Sequence, residues 1–470
     1  MAKGPPMGIG IIVFTLCLLI FLAFRGVSIL ILAPTLAVFA AALSGLPVLA
    51  SYTQIFMPNT GAFIITYFPL FLLGAVFGKL MEDSGSAKSI GDWSVHRLGE
   101  RRAMMAIILS CGLLTYGGVS LFVVAFAVYP LAAAVFRKAD LPARLIPGTI
   151  ALGSFTFTMT ALPGTPAIQN AIPMPYFGTT AFAAPGLGLL ASAIMLGVGY
   201  GWLHWRADHA AHTGEGYAQS LAPDQLCEGT EGLNTLPKCP LPPLAIALAP
   251  IVMVVVLNLV LSRYVFPRMD LRYLASDQWG AIDPSDIIGI WAITLSLSAA
   301  CLSIFILNPR WASNLFPSLG EGATAAVVPI FNTACLVGFG AVIATLPAFD
   351  QLRESILSIA PGNPLVSLSI AVNILAGITG SASGGMSIAL DTLGARYLEL
   401  GTAAGFAPGV LHRVTAVATG GLDALPHNGA VVTLLAICGM SHAKSYLDIF
   451  VVALVGPLLA LAAIVVIASL

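Results

Sequence analysis

Asp423 lies in the run Ala418-Thr-Gly-Gly-Leu-Asp-Ala-Leu-Pro-His-Asn-Gly-Ala430, ten residues after Arg413 and fifteen before Cys438, in sequence that is otherwise apolar. A carboxyl group at membrane depth is a functional feature by default, because hydrocarbon tolerates its neutral form and the change of charge carries a proton. Asp423 is therefore the candidate for proton coupling, with support of a broken helix as its competing role. His427 follows beyond Pro426 and is a candidate to share that proton, to bind a ligand, or to satisfy a backbone group. Asn428, like Asn170 and Asn373, offers an amide oxygen to a ligand or a cation.

Two glycine pairs suggest a different chemistry. Gly117 and Gly118 precede Ser120, and Gly384 and Gly385 precede Ser387. No basic side chain lies in these interruptions, so an anion held there needs backbone N–H groups at helix N-termini, each end worth about half a positive charge. Glycine lets a ligand approach that backbone closely. Ser381, Ser383, Thr156, Thr158 and Thr160, with Gly164 and Thr165 of Leu162-Pro-Gly-Thr-Pro166, add hydroxyl and backbone groups for binding oxygen atoms. The competing role of small residues is close helix packing. Asp391 has no counterpart in the first half of the chain and is expected to face water near one surface. His204, His209 and His212 run from a Trp202/Trp205 edge into polar sequence, which points to packing and solvation rather than a metal site. Neither a metal nor a cofactor is expected. Cys17, Cys111, Cys301, Cys335 and Cys438 read as small buried hydrophobes, while Cys227 and Cys239 are too sparse for a disulfide framework.

The elements that must carry these residues follow from composition. The 470 residues are 58% apolar and 9% charged, with mean hydropathy +0.94, against about 25% charged in soluble domains. This is the composition of an all-α polytopic membrane protein embedded in a lipid bilayer. A formal net charge of −1 gives no footprint for nucleic acid. Apolar windows long enough to cross about 30 Å of hydrocarbon fall at 7–24, 27–43, 60–80, 145–172, 183–204, 242–262, 285–306, 323–346, 413–438 and 446–468. The segments 102–136 and 363–398 are too long for one helix and short for two full crossings, so each is expected to be a re-entrant hairpin. The windows 145–172 and 413–438 are expected to be helices broken at the midplane.

Segments of the two halves correspond in the same order: Leu113–Ser120 with Ile378–Ser387, and Ala161–Ala167 with Ala424–Ala430. Residues 1–204 and 242–470 then read as two inverted repeats, each of about five transmembrane helices and one hairpin, an arrangement typical of secondary transporters. The 205–241 segment joins them as a polar linker. Placing the 96–102 loop in the cytoplasm leaves thirteen Lys and Arg residues inside against seven outside, with Arg413 among the outer seven, and makes the linker cytoplasmic. No H-E-x-x-H, G-x-S-x-G or paired-aspartate motif supports an intramembrane enzyme.

At Ser381–Gly394 (SASGGMSIALDTLG), at Leu411–Ile449 and, more weakly, at Leu162–Asn170 the chain resembles the gluconate permease family, most closely its 3-hydroxybutyrate permease-like branch. The resemblance implies uptake of small hydroxylated monocarboxylates, such as gluconate or 3-hydroxybutyrate, across the bacterial inner membrane, usually with protons. It also implies membership of the ion-transporter superfamily, with a homodimer and an elevator-like transport domain. Sodium coupling is the alternative, since Asn side chains and backbone carbonyls also coordinate Na⁺.

Overall fold

Proline and glycine decide where this apolar sequence stops being helix. A computed structural model of the chain describes residues 7–25, 27–98, 102–119, 121–217, 241–309, 312–360, 362–379, 381–426 and 428–470. Ser120, His427 and the 218–240 part of the linker, with Cys227 and Cys239, lie outside them. Among the described residues every regular element is helical.

In chain order the helices are α1 (Met7–Phe24), α2 (Ile29–Leu43), α3 (Val48–Asp83), α4 (Ser86–Leu98), α5 (Ala103–Tyr116), α6 (Leu121–Lys138), α7 (Ile146–Ser154), α8 (Phe157–Thr160), α9 (Ile168–Ala171), α10 (Pro173–Phe177) and α11 (Pro185–Thr213). After the linker come α12 (Leu244–Arg268), α13 (Pro284–Leu307), α14 (Ala312–Ala344), α15 (Phe349–Leu357), α16 (Pro364–Thr379), α17 (Ala382–Ala403), α18 (Pro408–Thr419), α19 (Gly429–Ile437) and α20 (His442–Ala468). Among the described residues six of them, α3, α11, α12, α13, α14 and α20, are long and apolar enough to cross a membrane. The sequence predicts ten full spans; α2, at 15 residues, covers only about 22 Å at 1.5 Å per residue, and the windows at 145–172 and 413–438 are interrupted. The first is cut by Pro163, Gly164 (φ +85°) and Pro166, and runs on to Phe177. The second begins at Pro408 and is cut between Gly420 and Asn428.

The segments 102–136 and 363–398 each hold two helices and a tight turn. α5 turns into α6 through Gly117 and Gly118, the latter with a φ of +102° that suits glycine. α16 and α17 approach so closely that a Cβ on Gly385 would stand 2.3 Å from the Ala376 backbone. The first legs, 14 and 16 residues, reach only about 21 and 24 Å.

α3 and α14 run antiparallel along most of their lengths. Glycines make this possible: a Cβ would fall 2.7 Å from Val76 Cα at Gly322 and 2.3 Å from Thr60 Oγ1 at Gly338. One apolar core from Phe63 to Val465 joins both halves, and a smaller one gathers α1, α2, the start of α3 and the end of α14. Cys111, Cys301, Cys335 and Cys438 are buried as expected, whereas Cys17 is exposed on α1.

Charge is concentrated where the linker begins. The fully buried Asp448 accepts from Trp202 Nε1 and Arg206 Nε, both at 3.0 Å, and from Arg144 Nη1 at 3.4 Å. Arg144 also grips Glu215 through two bonds of 2.6 and 2.9 Å, and this guanidinium holds the Glu215 carboxyl below its usual range. Ser89 of α4 donates to the Pro242 carbonyl at 2.7 Å, anchoring the far end.

Candidate functional site

The break between α18 and α19 is held open by borrowed hydrogen bonds. Helix stops at Gly420, and Leu422–Ala424 make one 3₁₀ turn that carries Asp423. Asn373 of α16 accepts the Leu422 N–H at 3.3 Å, Tyr446 donates to the Ala424 carbonyl at 3.1 Å, and the His442 ring meets the Pro426 carbonyl at 3.0 Å. These contacts satisfy backbone that the break leaves without helical partners; such a group, if buried unpaired, costs roughly 2–7 kcal/mol. Asn428 then starts α19, its Oδ1 accepting from Ala430 N–H at 2.6 Å and Val431 N–H at 3.3 Å. Ser381 starts α17 in the same way, accepting from Gly384 N–H at 3.1 Å.

Both caps border one cavity of about 460 Å³. Asp423, Asn428, Gly429 and Ala430 form one wall, Ser381, Ala382 and Ser383 a second, and Thr160, Met159 and Gln169 a third. α14 closes the fourth with Pro329, Asn332 and Thr333, and the Thr333 and Ser383 hydroxyls stand 3.3 Å apart. The helix N-termini of α17 and α19 thus face the space that also holds the Asp423 carboxyl. Among the described residues no Lys, Arg or His lines it. A neighbouring cavity of about 380 Å³ shares Phe71, Leu121, Met159, Gln169 and Pro329 with it. At that second cavity Lys79 of α3 pairs with Glu321 of α14 at 3.2 Å and with Asp83 at 3.1 Å.

Not every candidate reaches the first cavity. Asp423, Asn428, Ser381, Ser383 and Thr160 line it. Gly384 spends its N–H on the Ser381 cap, and Gly385 packs against α16. Ser387 is fully buried, its hydroxyl has no partner among the described residues, and it does not line the cavity. In the first half Gly118 borders the second cavity, and Gly117 is pressed against Ile251 of α12. Thr156, Thr158 and Thr165 are fully buried in local bonds: Thr156 to Leu152 O, Thr158 to Gly153 O, and Thr165 Oγ1 from Ala167 N–H. Gly164 packs under Phe182, its N–H donating to Ala181 O at 2.8 Å. The carboxylate of Asp391, expected to face water, takes a hydrogen bond from the Tyr176 hydroxyl of α10, although the residue is exposed. His204 and His209 lie exposed on α11, ring-stacked with Tyr200 and Trp205.

Arg413, which the sequence places at an outer edge, and His412, which the sequence does not single out, form an interlock. Arg413, counted with the outer loops, is 0% exposed. Its guanidinium donates to Ala183 O at 2.8 and 3.1 Å, to Thr160 O at 3.2 Å and to Ala181 O at 3.4 Å. The reason is local: the first break and the loop after it present the carbonyls of Thr160, Ala181 and Ala183 outside helical pairing, and α18 brings a five-donor fork to them. His412, also 0% exposed, bridges Thr179 Oγ1 at 2.6 Å and Asn170 Oδ1 at 3.1 Å. Asn170 in turn donates to Thr165 O at 2.9 Å and Ala181 O at 3.0 Å, so it braces the break and leaves the cavity to its neighbour Gln169.

Comparison with known proteins gives concordant likenesses. A family model described as GntP family permease matches residues 7–263. The chain is 43% identical over 456 residues, 95% of each chain, to a Bacillus subtilis (strain 168) protein named "Uncharacterized transporter YxjC".

Proposed function

The chain belongs to the GntP family of permeases, and on that premise we propose that it is a secondary active symporter carrying a small hydroxylated monocarboxylate, such as gluconate or 3-hydroxybutyrate, with protons. The observation that carries the reading is the pairing, in one cavity, of two helix N-termini with the carboxyl of Asp423. The termini suit an anion. The first-turn N–H groups of Ala382, Ser383 and Gly429 have no acceptor within their own helices, and their dipoles supply the positive potential that no described side chain of the lining provides. The carboxyl suits a proton. With a substrate anion beside it, an ionised Asp423 adds like-charge repulsion in a poorly screened space, so anion and proton favour each other's binding.

In this reading 1–204 and 242–470 are inverted repeats around the site, with 102–136 and 363–398 as re-entrant hairpins and 205–241 as a cytoplasmic linker. The protein works in the bacterial inner membrane, as a homodimer. Substrate-driven proton uptake tests the proposal: proteoliposomes loaded with a pH-sensitive dye are given an inward gradient of gluconate or 3-hydroxybutyrate. Internal acidification that follows uptake is expected. Uptake that requires Na⁺ and moves no protons overturns the assignment of Asp423.

A further inference from the structure

Two amide oxygens at the cavity accept from nothing among the described residues. Gln169 is 8% exposed, borders both cavities, and its Oε1 has no hydrogen-bond partner among the described residues; Asn332 borders the first cavity and its Oδ1 likewise has none among them. Buried Asn258 also has an unpartnered Oδ1 among the described residues but borders neither cavity, and the other buried amides around the site are committed. Asn170 is held by His412, Asn373 by Leu422 N–H, and Asn428 by its own helix start. A buried acceptor without a donor costs about 1–3 kcal/mol, and the cost is most naturally retained where a ligand supplies the donor. Ordinary packing offers no reason for the two amides, because Leu or Met would fill the same volume without a penalty.

We infer that Gln169 and Asn332 are the specificity residues of this permease, each accepting a hydrogen bond from a hydroxyl of the transported acid. The inference rests on the function proposed above and adds to it the part of the substrate that is not the carboxylate. Chemistry selects the donor. The ligand is an anion, so its only O–H donors are hydroxyls, and an amide oxygen accepts from them without adding charge that would repel the carboxylate. Position separates the two roles. Asn332 adjoins Thr333, whose hydroxyl meets Ser383 beside the α17 N-terminus, so it reads a hydroxyl close to the carboxylate. Gln169 stands on a different element, in the wall shared with the second cavity, and reads a hydroxyl farther along the chain. A site built around such acceptors rejects the analogue lacking the hydroxyl, because the buried oxygen is then left unpaired again.

The test is binding of four acids to the full-length protein in nanodiscs by calorimetry: gluconate and 3-hydroxybutyrate, with hexanoate and butyrate as chain-matched acids without hydroxyls. The variants are Gln169→Met and Asn332→Leu, which keep volume and remove the acceptor. The expected result is that the wild type prefers a hydroxylated acid over its matched partner by about tenfold or more, that Asn332→Leu loses most of that preference in both pairs, and that Gln169→Met loses it for gluconate over hexanoate while keeping it for 3-hydroxybutyrate over butyrate, each variant's affinity for the unhydroxylated acids staying within about twofold. The melting temperature of each ligand-free variant is expected to match or exceed that of the wild type, since removing an unpaired acceptor removes a cost; a structural role predicts a fall instead. Equal weakening for both members of a pair, an undiminished preference in both variants, or a lowered melting temperature overturns the inference. So does binding that tightens with Na⁺ in the wild type alone, which makes the two oxygens cation ligands. Undiminished preference alongside intact substrate-driven proton uptake sinks the inference and leaves the proposed function standing; a wild type that binds none of the four acids sinks both.

Discussion

The two broken segments, 146–177 and 408–437, look alike in sequence and behave differently in the fold. Both lose helix at glycine and proline, and both release backbone carbonyls at depth. The first and the loop that follows it are braced partly from the second: Arg413 donates to the carbonyls of Thr160, Ala181 and Ala183, and His412 sets Asn170, which within the first donates to those of Thr165 and Ala181. Its threonines turn inward and bond locally. The second break is propped from behind by Asn373, Tyr446 and His442, and turns Asp423, Gly429 and the Asn428 cap toward the cavity. Similar breaks therefore serve unequal ends: one is a braced support that lends the cavity Thr160 and Gln169, the other presents a carboxyl and a helix end to it.

That contrast can be broken at several points. Asp423→Asn should fold normally and still exchange substrate across the membrane, yet lose accumulation against a gradient, as measured by uptake with and without an imposed pH difference. Arg413→Met should leave carbonyls of Thr160 and Ala183 unpaired, at about 1–3 kcal/mol each, and so lower the melting temperature in detergent more than any substitution at the second break. Asn428→Ala should cost about 1 kcal/mol of stability through the lost cap and also weaken substrate binding, whereas Thr158→Val, on the braced side, should leave binding unchanged. The smallest effect is expected far from both breaks. The Glu215 carboxyl is lowered by its hydrogen bonds to Arg144, so the stability it adds is present above the ordinary Glu value of 4.5 and is lost as pH falls through the lowered folded value. Glu215→Gln should flatten that acid slope in melting curves, by under about 1 kcal/mol because the pair is partly exposed.

How much of the fold and of the site is legible in the sequence depends on the kind of signal. Apolar runs locate the long helices, and Gly-Pro clusters locate where helix fails, because both are local properties of the backbone. The direction a residue faces is another matter. In a soluble helix a polar face marks the solvent side; here lipid-facing and core-facing sides are both apolar, and that contrast is missing. Asn170 and Gln169 illustrate it: they are neighbours on the four-residue α9, about 100° apart around the helix, and the sequence points to Asn170 where Gln169 borders the cavity. Asn332, three residues after Pro329 in an apolar run, carries the same signal as Asn373, and nothing in the pattern separates the two. A helix edge is the natural place for Arg413 in sequence terms, because an unpaired guanidinium cannot stay at depth. Its partners are carbonyls more than 200 residues away, and no local pattern announces them.

The Arg413 interlock also limits how the protein can move. Sliding the two breaks past one another would strip a fully buried guanidinium of its bonds to Thr160, Ala181 and Ala183, in a place where water cannot take over. Roughly 1.5–3 kcal/mol is at stake for each bond to a charged donor. The breaks are therefore tied to one another through that guanidinium. The cavity beside them is completed by α17, with Ser381, Ala382 and Ser383, and by α14, which supplies Pro329, Asn332 and Thr333 and lies along α3 through contacts as slender as glycine allows.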